Sequence, residues 1–147
     1  MTPHIKYMKV HPNARMPVRA TEGSTGLDLY AVEDVALYIG DRKAVKTGLV
    51  LDLSHLPESS DVQIRSRSGL ALNHGVVVLN APGTIDRDYR GELKVILMNH
   101  GDAPYQIRAG DRIAQLVIGT SLSTIWFPVE QVSETGRGDG GFNSTGK

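Results

Sequence analysis

The chain reads as all-β, a jelly-roll-like sandwich or barrel with one short helix and a flexible glycine-rich C-terminal tail. Three observations carry that reading. Apolar residues alternate in short runs of period two. Gly, Pro, Asn and Asp clusters such as "YIGD", "HLPESSD", "NAPG", "NHGD" and "RAGD" separate the runs. The 147 residues, which include no cysteine, suffice for one core without metal or disulfide.

The elements follow in order. Ile5–Val10, Gly26–Ala31 and Val35–Ile39 are strand candidates. In "KAVKTGLVLDL", Val45, Thr47, Leu49, Leu51 and Leu53 share one face, and Lys46, Gly48, Val50 and Asp52 the other. "DVQIRS" alternates likewise. "SGLALNHG" reads as the one helix, with Ser68 as N-cap and Gly75 as terminator. Gly75–Leu79 follows. "GELKVILMN" starts by alternating and is apolar on both faces from Val95 to Met98, the pattern of a strand covered on both sides. In a chain of this size the second cover can be another subunit. Gln106–Arg108, Arg112–Gly119 and Thr124–Phe127 complete the strands. From about Ser133 onward, "SETGRGDGGFNSTGK" holds a single large apolar residue, Phe142, too little to order a segment by burial. The expected organisation is one β domain over residues 1–132 and a flexible lid over 133–147.

Charge and composition exclude several classes. Sixteen basic residues balance sixteen acidic ones, which argues against a broad nucleic-acid footprint. Thiol catalysis and cysteine-based metal sites are excluded, and the five histidines fall at no zinc-ligand spacing. "MTPHIKYMKV" lacks a signal-peptide pattern, and no apolar run nears membrane-spanning length. The expected location is cytoplasmic, with no nucleic-acid or membrane partner.

Five stretches could carry chemistry. "GTIDRDYRGE" (Gly83–Glu92) packs two aspartates, two arginines and a tyrosine between strands; a carboxylate beside an aromatic platform suits a nucleoside pocket with a general base, although a solvated hairpin turn would look the same. "IRSRSGLA" sets Arg67 and Ser68 at a helix start, as a phosphate contact or as an ordinary cap. "TEGSTGLDLYA" brings Asp28 to a strand, where a lone aspartate is usually just solvated. "GDRIAQLVI" places Gln115 in an apolar stripe, where its amide needs a partner, most often backbone. In the tail, Gly141–Lys147 spells G-x-x-x-x-G-K, and Gly136, Gly138 and Gly141 fit G-x-G-x-x-G. Neither pattern has the strand and helix it needs, and a loose glycine-rich terminus is the plain alternative.

Taken in this order, the five stretches resemble the five motifs of the homotrimeric dUTPases: "EGSTGLDLYA", "RSRSGLA", "NAPGTIDRDYRGELKVILMN", "GDRIAQL" and "RGDGGFNSTG". The resemblance runs from about residue 15 to the end. Two positions depart from the family pattern. Ser66 stands where proline is common, and Asn143 stands where the tail usually has glycine.

The resemblance implies Mg²⁺-assisted hydrolysis of dUTP to dUMP and pyrophosphate, which limits uracil in DNA and supplies dUMP for dTMP synthesis. Asp86 would activate the attacking water and bind the sugar 3′-OH. Tyr89 would underlie the deoxyribose. A hairpin near Leu79–Ile85, with Asn80, would read uracil. Arg67, Ser68, Gly69 and Gln115 would contact phosphate. Asp28 would reach the metal through water. Arg137, Phe142, Ser144, Thr145 and Gly146 would form the lid, with Phe142 stacked on the base. The family assembles as a homotrimer with shared active sites. Two alternatives are a dCTP deaminase-like enzyme on the same fold and a non-enzymatic jelly-roll binding module.

Overall fold

A computed structural model describes residues 4–141. Within them lie ten strands and one short helix: β1 (Lys6–Lys9), β2 (Leu27–Tyr30), β3 (Val35–Leu37), β4 (Arg42–Asp52), β5 (Ser60–Arg65), α1 (Ser68–His74), β6 (Val76–Val78), β7 (Gly83–Ile85), β8 (Glu92–Asn99), β9 (Tyr105–Ile107) and β10 (Arg112–Thr120). They form a four-stranded sheet A in the order β1-β4-β8-β6, a four-stranded sheet B in the order β2-β10-β5-β7, and the pair β3-β9. Every pairing is antiparallel. The all-β, jelly-roll-like class is as expected.

Alternation builds the core. Val45, Leu49, Leu51 and Leu53 from β4 and its exit pack against Leu93, Val95 and Leu97 from β8. Leu29, Val62, Ile64, Ile113 and Leu116 come from sheet B. Each such aliphatic side chain contributes roughly 1.5–3 kcal/mol on full burial. The outward residues of β8 are less covered: Ile96 is 38% exposed. The second apolar face of that strand is therefore open in the single chain.

Period two breaks once within β4. Gly48 is buried with its neighbours Thr47 and Leu49, rather than lying on the outer face with Lys46. The register with β8 shifts between Lys46 and Val50, a β-bulge, and Gly48 sits at φ +68°. Its N–H donates to Glu92 Oε1 at 3.0 Å. A Cβ there would lie 2.7 Å from His11 Cβ and 2.9 Å from Ala14 Cβ, so glycine is needed for the loop to close over the strand.

Three expectations need correction. Ser68 is the first helical residue and not the N-cap; Arg67 occupies the cap in extended conformation, with no side-chain cap bond. Gly75 does end the helix, in the left-handed conformation, its N–H donating to Ala71 O at 3.1 Å. Thr124–Phe127 is not a strand. A strand needs a neighbour to take its backbone hydrogen bonds, and the described residues offer the segment none; Trp126 is 90% exposed. Lastly, Leu79–Ile85 is not a hairpin. β6 belongs to sheet A and β7, an element the alternation did not reveal, to sheet B, where Gly83, Thr84 and Ile85 oppose Ile64, Gln63 and Val62 of β5. The chain crosses between sheets at residues 79–82 and crosses back at 86–91.

Candidate active site

Those two crossings create a pocket. It has a volume of about 330 Å³ and is lined by Asn80, Gly83, Thr84, Ile85, Asp86, Tyr89 and Glu92, with Ile64, Val78, Leu93 and the outer face of β4 and β8 behind them. The sheets supply an apolar floor and the crossings supply polar groups at the rim, the usual composition of a small-molecule site. Three expected residues, Asn80, Asp86 and Tyr89, thus converge.

The 86–91 crossing is held by its own residues. Tyr89 N–H donates to Asp86 O at 3.1 Å, closing the turn. The Tyr89 hydroxyl donates to Glu92 O at 3.1 Å, and the ring lies where a Cβ on Gly91 would sit. Two arginines fasten the turn to the end of β4 and the loop after it. Arg87 Nη2 donates to Leu56 O at 3.2 Å, and its Nε is buried without a partner among the described residues. Arg90 donates to Arg87 O at 2.7 Å and pairs with Asp52 at 3.3 Å. Hydrogen bonds from Ser54, and then the Arg90 charge, hold the Asp52 carboxyl below its ordinary value. The Asp86 carboxylate makes no hydrogen bond or ion pair among the described residues and faces solvent.

A second cluster lies around Asp28. β10 runs between β2 and β5, and Gln115 is opposite Asp28 on one side and Arg65 on the other. Asp28 is buried, with Arg67 Nε at 3.6 Å and Arg112 Nη1 at 3.3 Å. Arg67 Nη1 also donates to Arg112 O at 2.8 Å. Gly26 leaves room for Gln115: a Cβ there would meet Gln115 Cβ at 3.0 Å. Ser68 and Gly69 are exposed just beyond Arg67. Asp28 is therefore an anchor for two arginines, and Arg112 is a member that the sequence reading missed. Arg112 opens β10 opposite Tyr30, two positions along β2 from Asp28, a relation that exists only in the β2–β10 register.

Replacing Asp28 by asparagine removes the charge that both arginines share. The expected loss is about 1–3 kcal/mol of folding stability, since charge-assisted bonds to a buried acceptor are at stake and Arg112 is half-exposed. Urea denaturation of the variant checks it; a midpoint equal to wild type would contradict the anchoring role.

The two clusters remain separate in one chain. The pocket lining contains none of Asp28, Arg67, Ser68 or Gln115. Arg137 is farther along an exposed segment, its Nε donating to Gly140 O at 2.6 Å in a local turn. Phe142, Ser144, Thr145 and Gly146, and the Asn143 departure, lie outside the described residues. Among the described residues no group of three His, Asp or Glu side chains could hold a metal ion, and no helix is long and apolar enough to cross a membrane.

Fold and site define a class, a jelly-roll-like β-sandwich with its polar groups on inter-sheet crossings. The family model for dUTPase matches residues 12–146. The deoxyuridine 5′-triphosphate nucleotidohydrolase of Helicobacter pylori (strain Shi470) is 51% identical over 142 residues, covering 97% of this chain and 96% of that protein. The enzyme of the same name from Picosynechococcus sp. is 48% identical, covering 97% and 99%. Among solved structures, the Staphylococcus bacteriophage 80alpha dUTPase with dUpNHpp superposes with a TM-score of 0.88 at 27% identity, covering 99% of this chain and 100% of that one. A variant dUTPase from phage phi11 of S. aureus, described with a structural Mg(II) ion, superposes with a TM-score of 0.79 at 25% identity, covering 89% and 99%. The chain belongs to the dUTPase family.

Proposed function

We propose that this protein hydrolyses dUTP to dUMP and pyrophosphate, with Asp86 as the general base. The observation that carries the reading is the pocket itself, which sets a free carboxylate, an aromatic face and the Asn80 amide around one apolar cleft. Asp86 takes a proton from water as the water oxygen bonds to the α-phosphorus. The bond from that phosphorus to the α,β-bridging oxygen breaks, and pyrophosphate leaves. The Asp86 carboxylate faces solvent and makes no bond among the described residues, so its oxygens are free to accept that proton.

The residue roles follow the family motifs. The rim of the pocket near Asn80 receives the uracil edge, and Tyr89 packs under the deoxyribose. Arg67, Ser68, Gly69 and Gln115 receive phosphate oxygens, and Arg137, Phe142, Ser144, Thr145 and Gly146 close over the nucleotide, with Phe142 on the base. Mg²⁺ would neutralise phosphate charge and hold the triphosphate in one geometry. Both Asp28 oxygens already face arginines, so Asp28 would meet a nucleotide-borne metal through that ion's water shell, not as a direct ligand.

The site is shared in a homotrimer. Supporting this, the Asp86 pocket and the Arg67 corner are apart in one chain, and the segment carrying Leu122, Ile125, Trp126 and Val132 leaves its apolar side chains uncovered. Residues 1–132 are the catalytic β domain and 133–147 its lid.

The direct test is pyrophosphate release from dUTP by the purified protein in the presence of Mg²⁺. Ammonia release from dCTP without pyrophosphate release from dUTP would instead establish the deaminase alternative. A further outcome concerns sugar selection. Tyr89→Ala removes the ring that leaves no room for a 2′-OH. The kcat/KM preference for dUTP over UTP should then fall by about tenfold or more, as for loss of a close steric contact worth 1–3 kcal/mol. An unchanged ratio would assign that discrimination to another group.

A further inference from the structure

Ser66 occupies the corner between β5 of sheet B and α1, and its hydroxyl reaches across to sheet A. Ser66 Oγ accepts a hydrogen bond from Val78 N–H at 2.8 Å. β6 is the edge strand of sheet A, and β8 is its one sheet neighbour among the described residues. Leu79 N–H donates to Ile96 O of β8 at 2.8 Å. Along an antiparallel ladder the hydrogen-bonded pairs alternate, so Val78, opposite Leu97, turns its N–H away from β8. That edge amide is buried together with its side chain. Without Ser66 it would lack a partner within the sheet.

The tie has a position that matters. Immediately after Ser66 come Arg67, Ser68 and Gly69, the corner assigned to phosphate. Immediately after Val78 comes the 79–82 crossing with Asn80, and Val78 itself lines the pocket. Arg67 is fixed at its far end by Asp28 and Arg112 O, while α1 has no side-chain cap to fix its start. The Ser66 hydroxyl is thus the hydrogen bond that joins the root of the corner to the neighbouring sheet. A proline at this position would have no hydroxyl to make it.

We propose that Ser66 is a positioning residue for triphosphate recognition, holding the Arg67–Gly69 corner at a set distance from the edge of sheet A. This rests on the dUTPase reading for the identity of the ligand. It goes beyond that reading because Ser66 is not among the residues lining the pocket and acts through the Val78 amide.

The test compares a ligand that reaches the corner with one that does not. Calorimetry gives Kd for the non-hydrolysable α,β-imido analogue of dUTP, and competition gives Kd for deoxyuridine, for wild type and for Ser66→Ala and Ser66→Thr. Removing the hydroxyl should weaken the analogue by about 5–20-fold, the range for one lost anchoring hydrogen bond, and leave deoxyuridine within about twofold. Threonine, which keeps the oxygen, should restore the analogue. Should the alanine variant not fold, Ser66→Cys under reducing conditions, with a weaker acceptor of similar shape, gives the same comparison. An analogue Kd unchanged while the melting temperature drops, or a parallel loss for both ligands, would show a merely structural bond and overturn the proposal. Wild type is read first: if it neither binds the analogue nor hydrolyses dUTP, the functional reading itself has failed.

Discussion

Replacing Asp86 by asparagine lowers kcat for dUTP by about 10²-fold or more, the loss expected when a general base is removed. Folding should be unaffected, for a local reason. The Asp86 carboxylate supports nothing in the described structure: the turn closes through its backbone oxygen, and Arg87, Arg90 and Tyr89 fasten the crossing by other bonds. Asparagine keeps the shape and can still donate and accept hydrogen bonds. Binding of the non-hydrolysable analogue should therefore stay close to wild type while turnover collapses. Single-turnover kinetics and calorimetry on the same preparation check both halves. Near-normal turnover would remove Asp86 from the role of base. Weakened binding with an equal loss in kcat/KM would make it a binding residue only.

The second large effect concerns the end of the chain. A protein ending at Glu134 should fold and form trimers yet hydrolyse dUTP poorly. Residues 135–141 make only local turns: Gly138 N–H donates to Thr135 O at 3.0 Å, and Arg137 bonds within its own loop. Their removal uncovers nothing in the core. On the proposed reading, the activity lost would be that of closure, which would exclude water and complete the contacts to phosphate and base. Trimers of the full-length Asp86→Asn chain should be poorly active as well. Refolding the two together should return some activity, because a mixed trimer can combine an intact Asp86 from one chain with an intact tail from another. Mass analysis verifies the mixing. If mixed trimers form and none of the activity returns, each tail serves its own chain's Asp86, and the shared-site reading is wrong.

How much of this was legible beforehand differs from element to element. The β4 alternation marked the inward set Val45, Thr47, Leu49, Leu51 and Leu53 correctly, because burial on one sheet face leaves a periodic trace in the residues themselves. Gly48 interrupted that trace. A bulge is a relation between two strands and a covering loop, and neither Glu92 nor His11 is near it in sequence. The three residues of β7 were too few to show a period, and Thr124–Phe127 had the strand composition without a strand neighbour. Asn80, Asp86 and Tyr89 could be expected together, since they lie within ten positions of one another. Arg112 could not be paired with Asp28, because 84 positions separate them and only the β2–β10 register brings them into contact.

By itself the sequence determined the fold class, the position of most strands along the chain, the end of the helix at Gly75 and the residue types available for chemistry. Those follow from local periodicity, local dihedral preference and composition. Tertiary structure alone decided that residues 79–82 and 86–91 cross between sheets and enclose a pocket, that Asp28 anchors two arginines, and that Ser66 closes the edge of β6. Each of these depends on which strands become neighbours. That choice is made by the packing of two sheets over a common core, where a one-residue change of register would turn every side chain to the opposite face.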